Sequence, residues 1–334
     1  VNRRHFLRSA AATGVAFAQH GARADAATAI TTQLLWIKNV EYAGFWIADA
    51  NGYFRDQGVT AAFLAGGPNL ASVEAIVAGG RADVGIDELE KVAGAVARGA
   101  DLVVVGAIYQ RVLGGILSLP KNPVRTPADL VGKRIGLAQG DNEYVDGILR
   151  LHHLPLKYTE IPVGFDPQPL VEGACDAYMC YVTAQPLQLA ERHIPYVVVS
   201  LADLGFAGYA GTLFCRREFA ERNRAGLVGY LRALGRGWEA NAHDPKLGAS
   251  LTVTNYGSAL GLDAQQQLVQ NQAQIPLTQS AATRRYGPLW ISKDEIRTHV
   301  YPVLRAMGRT NLPDPDRLVD LSYLQEANGR RPAG

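Results

Sequence analysis

The sequence predicts an α/β protein of two lobes, each built on its own sheet, joined by a hinge that the chain crosses twice. Three observations predict it. After residue 30, short apolar runs alternate with helical patterns, the signature of strand-helix-strand units and a mostly parallel sheet. The alternation passes through two similar cycles, and two cycles mean two sheets. From about residue 208 one more strand is followed by sequence that reads as almost wholly helical, as expected of a tail wrapping back on the first lobe. The expected boundaries are 25–107 for the first part of lobe one, 108–207 for lobe two, and 208–334 for the second part of lobe one with its C-terminal helices.

The elements follow in order. "TTQLLWIK" reads as a strand, "EYAGFWIADAN" as a helix ended by Gly52, and "VTAAFL" as a second strand. In "GGPNLASVEAIVAGG", Pro68 and Asn69 open a helix whose Leu70, Val73 and Val77 share one face, and Gly79 and Gly80 close it. "ADVGI" is the third strand, "ELEKVAGAVARG" a helix, and "DLVVVGAIY" a fully buried central strand. The second cycle opens on the strand "GGILSL", and Pro127 in "TPADLVGKRIGLAQG" suits a first helical turn before another strand. Helix "NEYVDGILRLHH", strand "YTEIPV", a short helix near "PQPLVEG", strand "DAYMCY", helix "TAQPLQLAERH" and strand "YVVVSL" complete it. "YAGTLFC" returns as a strand, and "RAGLVGYLRALGRGWEANAH" places Leu227, Tyr230, Leu231, Leu234 and Trp238 on one helix face. Further helices carry "AQQQLVQNQ" and "KDEIRTHVYPVLRAM".

Composition excludes several function classes. Lys and Arg total 33 against 31 Asp and Glu, a balance that gives no electrostatic reason to expect nucleic acid or an anionic membrane as partner. Cys175, Cys180 and Cys215 are too few for a disulfide framework and form no zinc-type pair, so they read as small buried apolar residues. His152 and His153 are adjacent, so on a helix they point about 100° apart and cannot share a metal; they read as a helix end in water. No metal and no cofactor is expected. At the N-terminus, "NRRHFLR", a modest apolar stretch and "ARADA" read as a twin-arginine export signal over residues 1–24. Export to the periplasm follows from that reading, and no later run approaches the roughly 20 apolar residues of a membrane span.

Several blocks, in order, carry a family resemblance: "WIKNVEYAGFWIADANGYFRDQGV", "AGGPNLASVEAIVAGGRADVGI", "PADLVGKRIGL", "EGACDAYMCYVTAQP" and "LRALGRGWEANAHDP". In these the chain resembles the solute-binding family that serves thiamine-pyrimidine precursors, riboflavin, nitrate and sulfonates. The Ala-Gly-aromatic-aromatic helix and the Gly-Gly-Pro loop are most similar to the branch that binds the aminopyrimidine half of thiamine. The resemblance implies a periplasmic-binding-protein type II fold and a periplasmic receptor working with a separate ABC permease and ATPase.

In a parallel sheet, ligands meet the loops beyond the carboxyl ends of the strands. In lobe one those loops hold Asn39, Glu41 and Tyr42, then Gly66, Gly67 and Pro68, then Asp87 and Glu88. The glycine pair permits close backbone approach, and the same stretch reads equally as a simple helix-entry turn. In lobe two the matching loops hold Gln139, Asp141, Glu143 and Tyr144, then Tyr181 and Gln185, while Tyr109 and Tyr209 sit at the two crossings. Phe45 and Trp46, inside a helix, read as core. The loops are acidic, with Arg111 as the one evident base. A nitrate or sulfonate pocket wants donors and positive charge, whereas carboxylates suit amino groups and protonated ring nitrogens. The reading is therefore a clamp for a small nitrogen heterocycle, best an aminopyrimidine thiamine precursor, with riboflavin or a sulfonate or nitrate-type anion as alternatives.

A rival class is an enzyme, because pyrimidine synthases share the resemblance and use a Lys, a nearby His and a Cys-rich segment. The matching stretch here is "GIDELEKV", offering Asp87 and Lys91, and "GFAGY" stands where the cysteines would fall. On that departure the expectation from sequence is a binding protein and not an enzyme.

Overall fold

The computed structural model describes residues 27–67 and 69–329 of the chain. Residues 1–24, read as an export signal, and Pro68 lie outside them. Among the described residues the strands are β1 Thr28–Gln33, β2 Val59–Leu64, β3 Val84–Asp87, β4 Leu102–Tyr109, β5 Gly114–Ser118, β6 Arg134–Leu137, β7 Thr159–Pro162, β8 Ala177–Tyr181, β9 Val197–Ser200 and β10 Ala210–Arg216. They form two five-stranded sheets, ordered β2-β1-β3-β10-β4 and β7-β6-β8-β5-β9. The chain passes from the first sheet to the second after β4 and back after β9, so two α/β lobes share a two-crossing hinge.

Both sheets are mixed rather than mostly parallel. β1 pairs in parallel with β2 and β3, but β10 lies antiparallel between β3 and β4. In the second sheet β6 is parallel to β7 and β8, while β5 is antiparallel to β8 and β9. β10 and β5 are the strands that follow the two crossings, and each enters its sheet from the hinge end, opposite to its neighbours. The expected strand-helix-strand logic therefore holds only for the strands within a cycle.

Burial explains the elements. All eight residues of β4 are buried: Leu102 and Val104 face one apolar cluster and Val103 and Val105 the other, as a strand covered on both faces requires. One cluster fills the space between the first sheet and helices Ala43–Ala50 and Arg224–His243, with Phe45, Trp46, Tyr230 and Trp238 at its centre. The second covers the opposite face through Leu89 and Val92, then continues into lobe two through Val145, Ile148 and Leu149. Helix Tyr301–Ala306 and Met307 join this cluster, and that helix packs on helix Asn142–Leu151 of lobe two. All three cysteines are free and buried, and no helix among the described residues is long and apolar enough to cross a membrane.

Two local readings change. β1 ends at Gln33, so Trp36 and Ile37 belong to the following loop rather than to the strand. The helix expected from Pro68 and Asn69 begins at Val73, because the Ser72 side chain accepts the Ala75 N–H and caps it there.

Candidate functional site

The lobes face one another across a cleft whose floor is the loop after β1. This loop is held from behind. The Tyr42 hydroxyl accepts the Trp36 N–H at 2.9 Å, and the Asn39 side chain accepts the Glu41 N–H at 3.0 Å. The Tyr109 hydroxyl lies 2.8 Å from the Glu41 carbonyl and 2.9 Å from Gln274 Oε1. Gly66 and Gly67 donate their N–H groups to the Trp36 and Leu35 carbonyls. A Cβ on Gly66 would lie 2.2 Å from the Leu35 carbonyl oxygen, so only glycine lets these two backbone stretches meet.

Three adjoining cavities open from this floor. The main one, about 390 Å³, is walled by Trp36, Glu88 and Glu90 from lobe one and by Asp141, Tyr144, Phe165 and Tyr181 from lobe two. A small annex of about 60 Å³ adds Asn39, Glu41, Thr183 and Gln270. A third, of about 380 Å³, lies beside them in lobe one and contains Asp87. Phe165 and Tyr181 are each 48% exposed, although both stand inside the cleft. Gln185 ties the two segments together: it accepts the Tyr181 N–H at 2.9 Å and donates to the Phe165 carbonyl at 3.2 Å. Both rings line the cleft and neither stacks on another ring among the described residues, which leaves them available to a flat guest. Tyr144 donates to Glu90 Oε1 at 2.7 Å across the lobes.

Of the residues read from sequence, the structure brings Asn39, Glu41, Glu88, Asp141, Tyr144, Tyr181 and Gln185 to the cleft cavities. Others stand elsewhere. Tyr42, Tyr109 and Tyr209 are buried to 4% exposure or less: the first two are props beneath the floor, and the Tyr209 hydroxyl accepts the Ser292 N–H. The close approach made possible by Gly66 and Gly67 is to the chain's own backbone. Glu143 is engaged by Arg309 outside the cavities, and Gln139 is exposed on its loop. Arg111 pairs with Asp203 at 3.4 Å. The sequence reading missed Trp36, Glu90, Phe165, Met179 and Gln270. Trp36 and Phe165 carried a usable signal, since both follow a strand end; Gln270, on helix Ala264–Gln274, carried none.

The cleft is electrostatically one-sided. Burial pushes the Glu41 carboxyl up to about 7, and burial also raises Asp141. Burial, then the charges of Glu90, Asp87 and Glu41, holds Glu88 well above the usual carboxylate range. No hydrogen bond among the described residues reaches the Glu88 side chain. A carboxyl raised on folding carries no penalty while both states are protonated. The penalty grows once the unfolded chain ionises, and it levels off above the folded value. The ligand-free protein is therefore expected to lose thermal stability between about pH 4 and 8, the window over which Glu41, raised to about 7, and Asp87, raised to about 8, would ionise in the unfolded chain but not in the folded one. Melting curves across that window that hold level would contradict this electrostatic picture.

A family model described as NMT1/THI5 like matches residues 39–247. The chain belongs to this family. Among curated relatives of this NMT1/THI5-like protein, the Saccharomyces cerevisiae 4-amino-5-hydroxymethyl-2-methylpyrimidine phosphate synthase THI5 is 24% identical over 231 residues, 65% of this chain and 68% of that one. The synthase of the same name from Legionella pneumophila is 21% identical over 223 residues, covering 65% and 70%. Among solved structures, a putative periplasmic sulfonate-binding protein SsuA from Methylobacillus flagellatus superposes with a TM-score of 0.65 at 15% identity, covering 90% of this chain and 94% of that one. That likeness establishes the periplasmic-binding-protein fold. The synthase names overturn the expectation that this chain is a binding protein and not an enzyme, which rested on its departure from the Lys, His and Cys pattern.

Proposed function

We propose that this cleft captures a small nitrogen heterocycle, best an aminopyrimidine thiamine precursor, and that the chain serves as the exported receptor of an ABC importer with a separate permease and ATPase. The observation that carries the ligand class is Glu88, a carboxyl that no donor among the described residues reaches, lining the same two cavities as Trp36 and the half-exposed Tyr181 and Phe165. An aminopyrimidine brings a flat ring to the aromatic walls, and its amino group and ring nitrogen meet a carboxyl as two adjacent hydrogen bonds. An anion such as a sulfonate or nitrate would enter among Glu41, Glu88 and Asp141 with Arg111 already paired. The relatives' names favour a second reading, in which the same cavity holds a pyrimidine during its synthesis.

Calorimetry with aminopyrimidines, thiamine, riboflavin, taurine and nitrate tests the assignment. An aminopyrimidine is expected to bind with micromolar affinity or better, about 8 kcal/mol. Binding of taurine alone would overturn the heterocycle, and sustained formation of a pyrimidine by the purified protein would assign the cavity to synthesis. Tyr181→Ala is expected to weaken the aminopyrimidine about tenfold through lost stacking while leaving the melting temperature unchanged, because the ring is half exposed. An unchanged affinity would take Tyr181 out of the site.

A further inference from the structure

The annex beside the aromatic cavity is small, and its polar groups are unused. Asn39 and Thr183 line it at 8% and 5% exposure, together with Glu41, Glu88 and Gln270. Asn39 Oδ1 accepts the Glu41 N–H, so the free end of that amide is its donor, Nδ2. Among the described residues no hydrogen bond reaches this Nδ2, the Thr183 hydroxyl or the Gln270 amide. These atoms also keep access to the cavity, unlike Glu74 Oε1, Thr212 Oγ1 and Trp238 Nε1, which are sealed in without partners. A buried polar group left unpaired is costly, and a ligand that pairs it recovers the cost. Gln270 stands apart on its helix, Ala264–Gln274. The buried amides beside it are all paired: Gln267 accepts the Val40 N–H, Asn271 and Asn241 exchange hydrogen bonds, and Gln274 donates to the Val40 carbonyl. Those bonds fix the helix to the cleft floor and leave Gln270 on the annex. Thr183 reaches the same space from the turn between β8 and helix Gln185–Glu191 of lobe two, and the two helices touch. Both lobes therefore complete the annex.

The mixture of groups defines what fits. Asn39 Nδ2 can only donate, ionised Glu41 and Glu88 can only accept, and Thr183 and Gln270 do both. A carboxylate or a phosphate dianion brings no donor for the acids, and an ammonium group brings no acceptor for Asn39. A hydroxyl or a primary amide brings both. The volume of about 60 Å³ is roughly that of two waters, which suits a short arm. We propose that the annex is a polar subsite for a short neutral arm, a hydroxymethyl or carboxamide group, projecting from a ring held in the aromatic cavity. Trp36, Glu88, Phe165 and Tyr181 line both spaces, so ring and arm can be one molecule. The subsite rests on the heterocycle reading and adds to it the class of substituent.

A matched pair of aminopyrimidines isolates the arm: one carries a hydroxymethyl group on the ring carbon next to the amino-bearing carbon, the other an ethyl group of the same size. Isothermal titration should show the hydroxymethyl compound binding about tenfold tighter, because the ethyl group leaves the donors and acceptors of the annex unpaired. Thr183→Val keeps the shape of the side chain and removes its hydroxyl, so it should cut that preference to about threefold. A purely structural role for Thr183 would weaken both compounds alike and leave their ratio unmoved. Equal affinities in the natural chain would mean that the annex holds water only and would overturn the subsite, as would an undiminished preference in Thr183→Val. The comparison of the two compounds uses the natural chain, so it stands even if the variant fails to fold. Equal binding of the pair removes the subsite and keeps the ring reading, whereas binding of neither removes the ring reading. Acetamide, expected to bind only in the millimolar range, then decides the annex without a ring. A rise in melting temperature that Thr183→Val abolishes supports the subsite, and no rise, or one that the variant keeps, overturns it.

Discussion

Glu88→Ala is expected to weaken aminopyrimidine binding by about ten- to hundredfold, the worth of a hydrogen bond to a charged partner in a desolvated site. Glu88 sits where the aromatic cavity and its annex meet, beside Trp36. Its carboxyl is held well above the usual range by burial and by neighbouring acids, so removing it relieves repulsion in the empty cleft. The variant should therefore melt at a higher temperature than the natural chain near pH 8 while binding more weakly. That opposition separates a ligand contact from a structural residue, whose loss would lower both. Glu88→Gln refines the test, since an amide still offers one donor and one acceptor to a neutral aminopyrimidine but cannot pair with a protonated ring. Isothermal titration of the three proteins at pH 6 and pH 8 supplies the comparison. Full affinity in Glu88→Ala would leave the acidic cleft without a role in recognition.

The two-lobed architecture was legible because hydrophobic periodicity reports burial, and burial is what a strand such as Leu102–Tyr109 or a helix such as Arg224–His243 shows directly. Strand direction was not legible. Whether β10 enters between β3 and β4 in parallel or antiparallel depends on the end from which the second crossing delivers it, which no side-chain pattern encodes. The candidate site divided along a similar line. The rule that ligands meet loops after strand ends found Asn39, Glu41, Glu88, Asp141 and Tyr181, since chain position alone brings them to the cleft. It could not separate tyrosines facing the cavity from those beneath it. Tyr42 and Tyr109 end elements as Tyr181 does, but their hydroxyls turn inward to the loop backbone and to Gln274. Glu74, which lines the third cavity, was invisible for another reason: on a helix it reads as solvated surface, and its burial arises from packing of that helix against β3.

The packing that supports the cleft floor has its own test. Helix Ala43–Ala50 crosses helix Arg224–His243 so closely that a Cβ on Gly237 would lie 2.0 Å from the Gly44 carbonyl oxygen and 2.9 Å from the Ala48 side chain. Gly44 in turn sits against the Trp238 ring, at 2.6 Å from a built Cβ. Alanine in place of a helical glycine gains about 1 kcal/mol in propensity, but here the obstacle is a backbone oxygen, which can yield only if one helix moves off the other. Overpacking of this kind costs about 3 kcal/mol, so the clash wins. Set against the propensity gain this leaves about 2 kcal/mol, so Gly237→Ala should lower the melting temperature by about 3 to 5 °C. It should weaken ligand binding as well, because helix Ala43–Ala50 carries Tyr42, the prop under Trp36, at its N-terminal end. Gly94→Ala supplies the opposite sign within the same lobe. There the nearest obstacle is the guanidinium end of Arg98 at 3.3 Å, which can swing away, so the propensity gain should survive as a small rise in melting temperature. Scanning calorimetry of the two variants decides it: a Gly237→Ala protein as stable as the natural chain would mean that the helices have room to separate and that the floor is not fixed by this crossing.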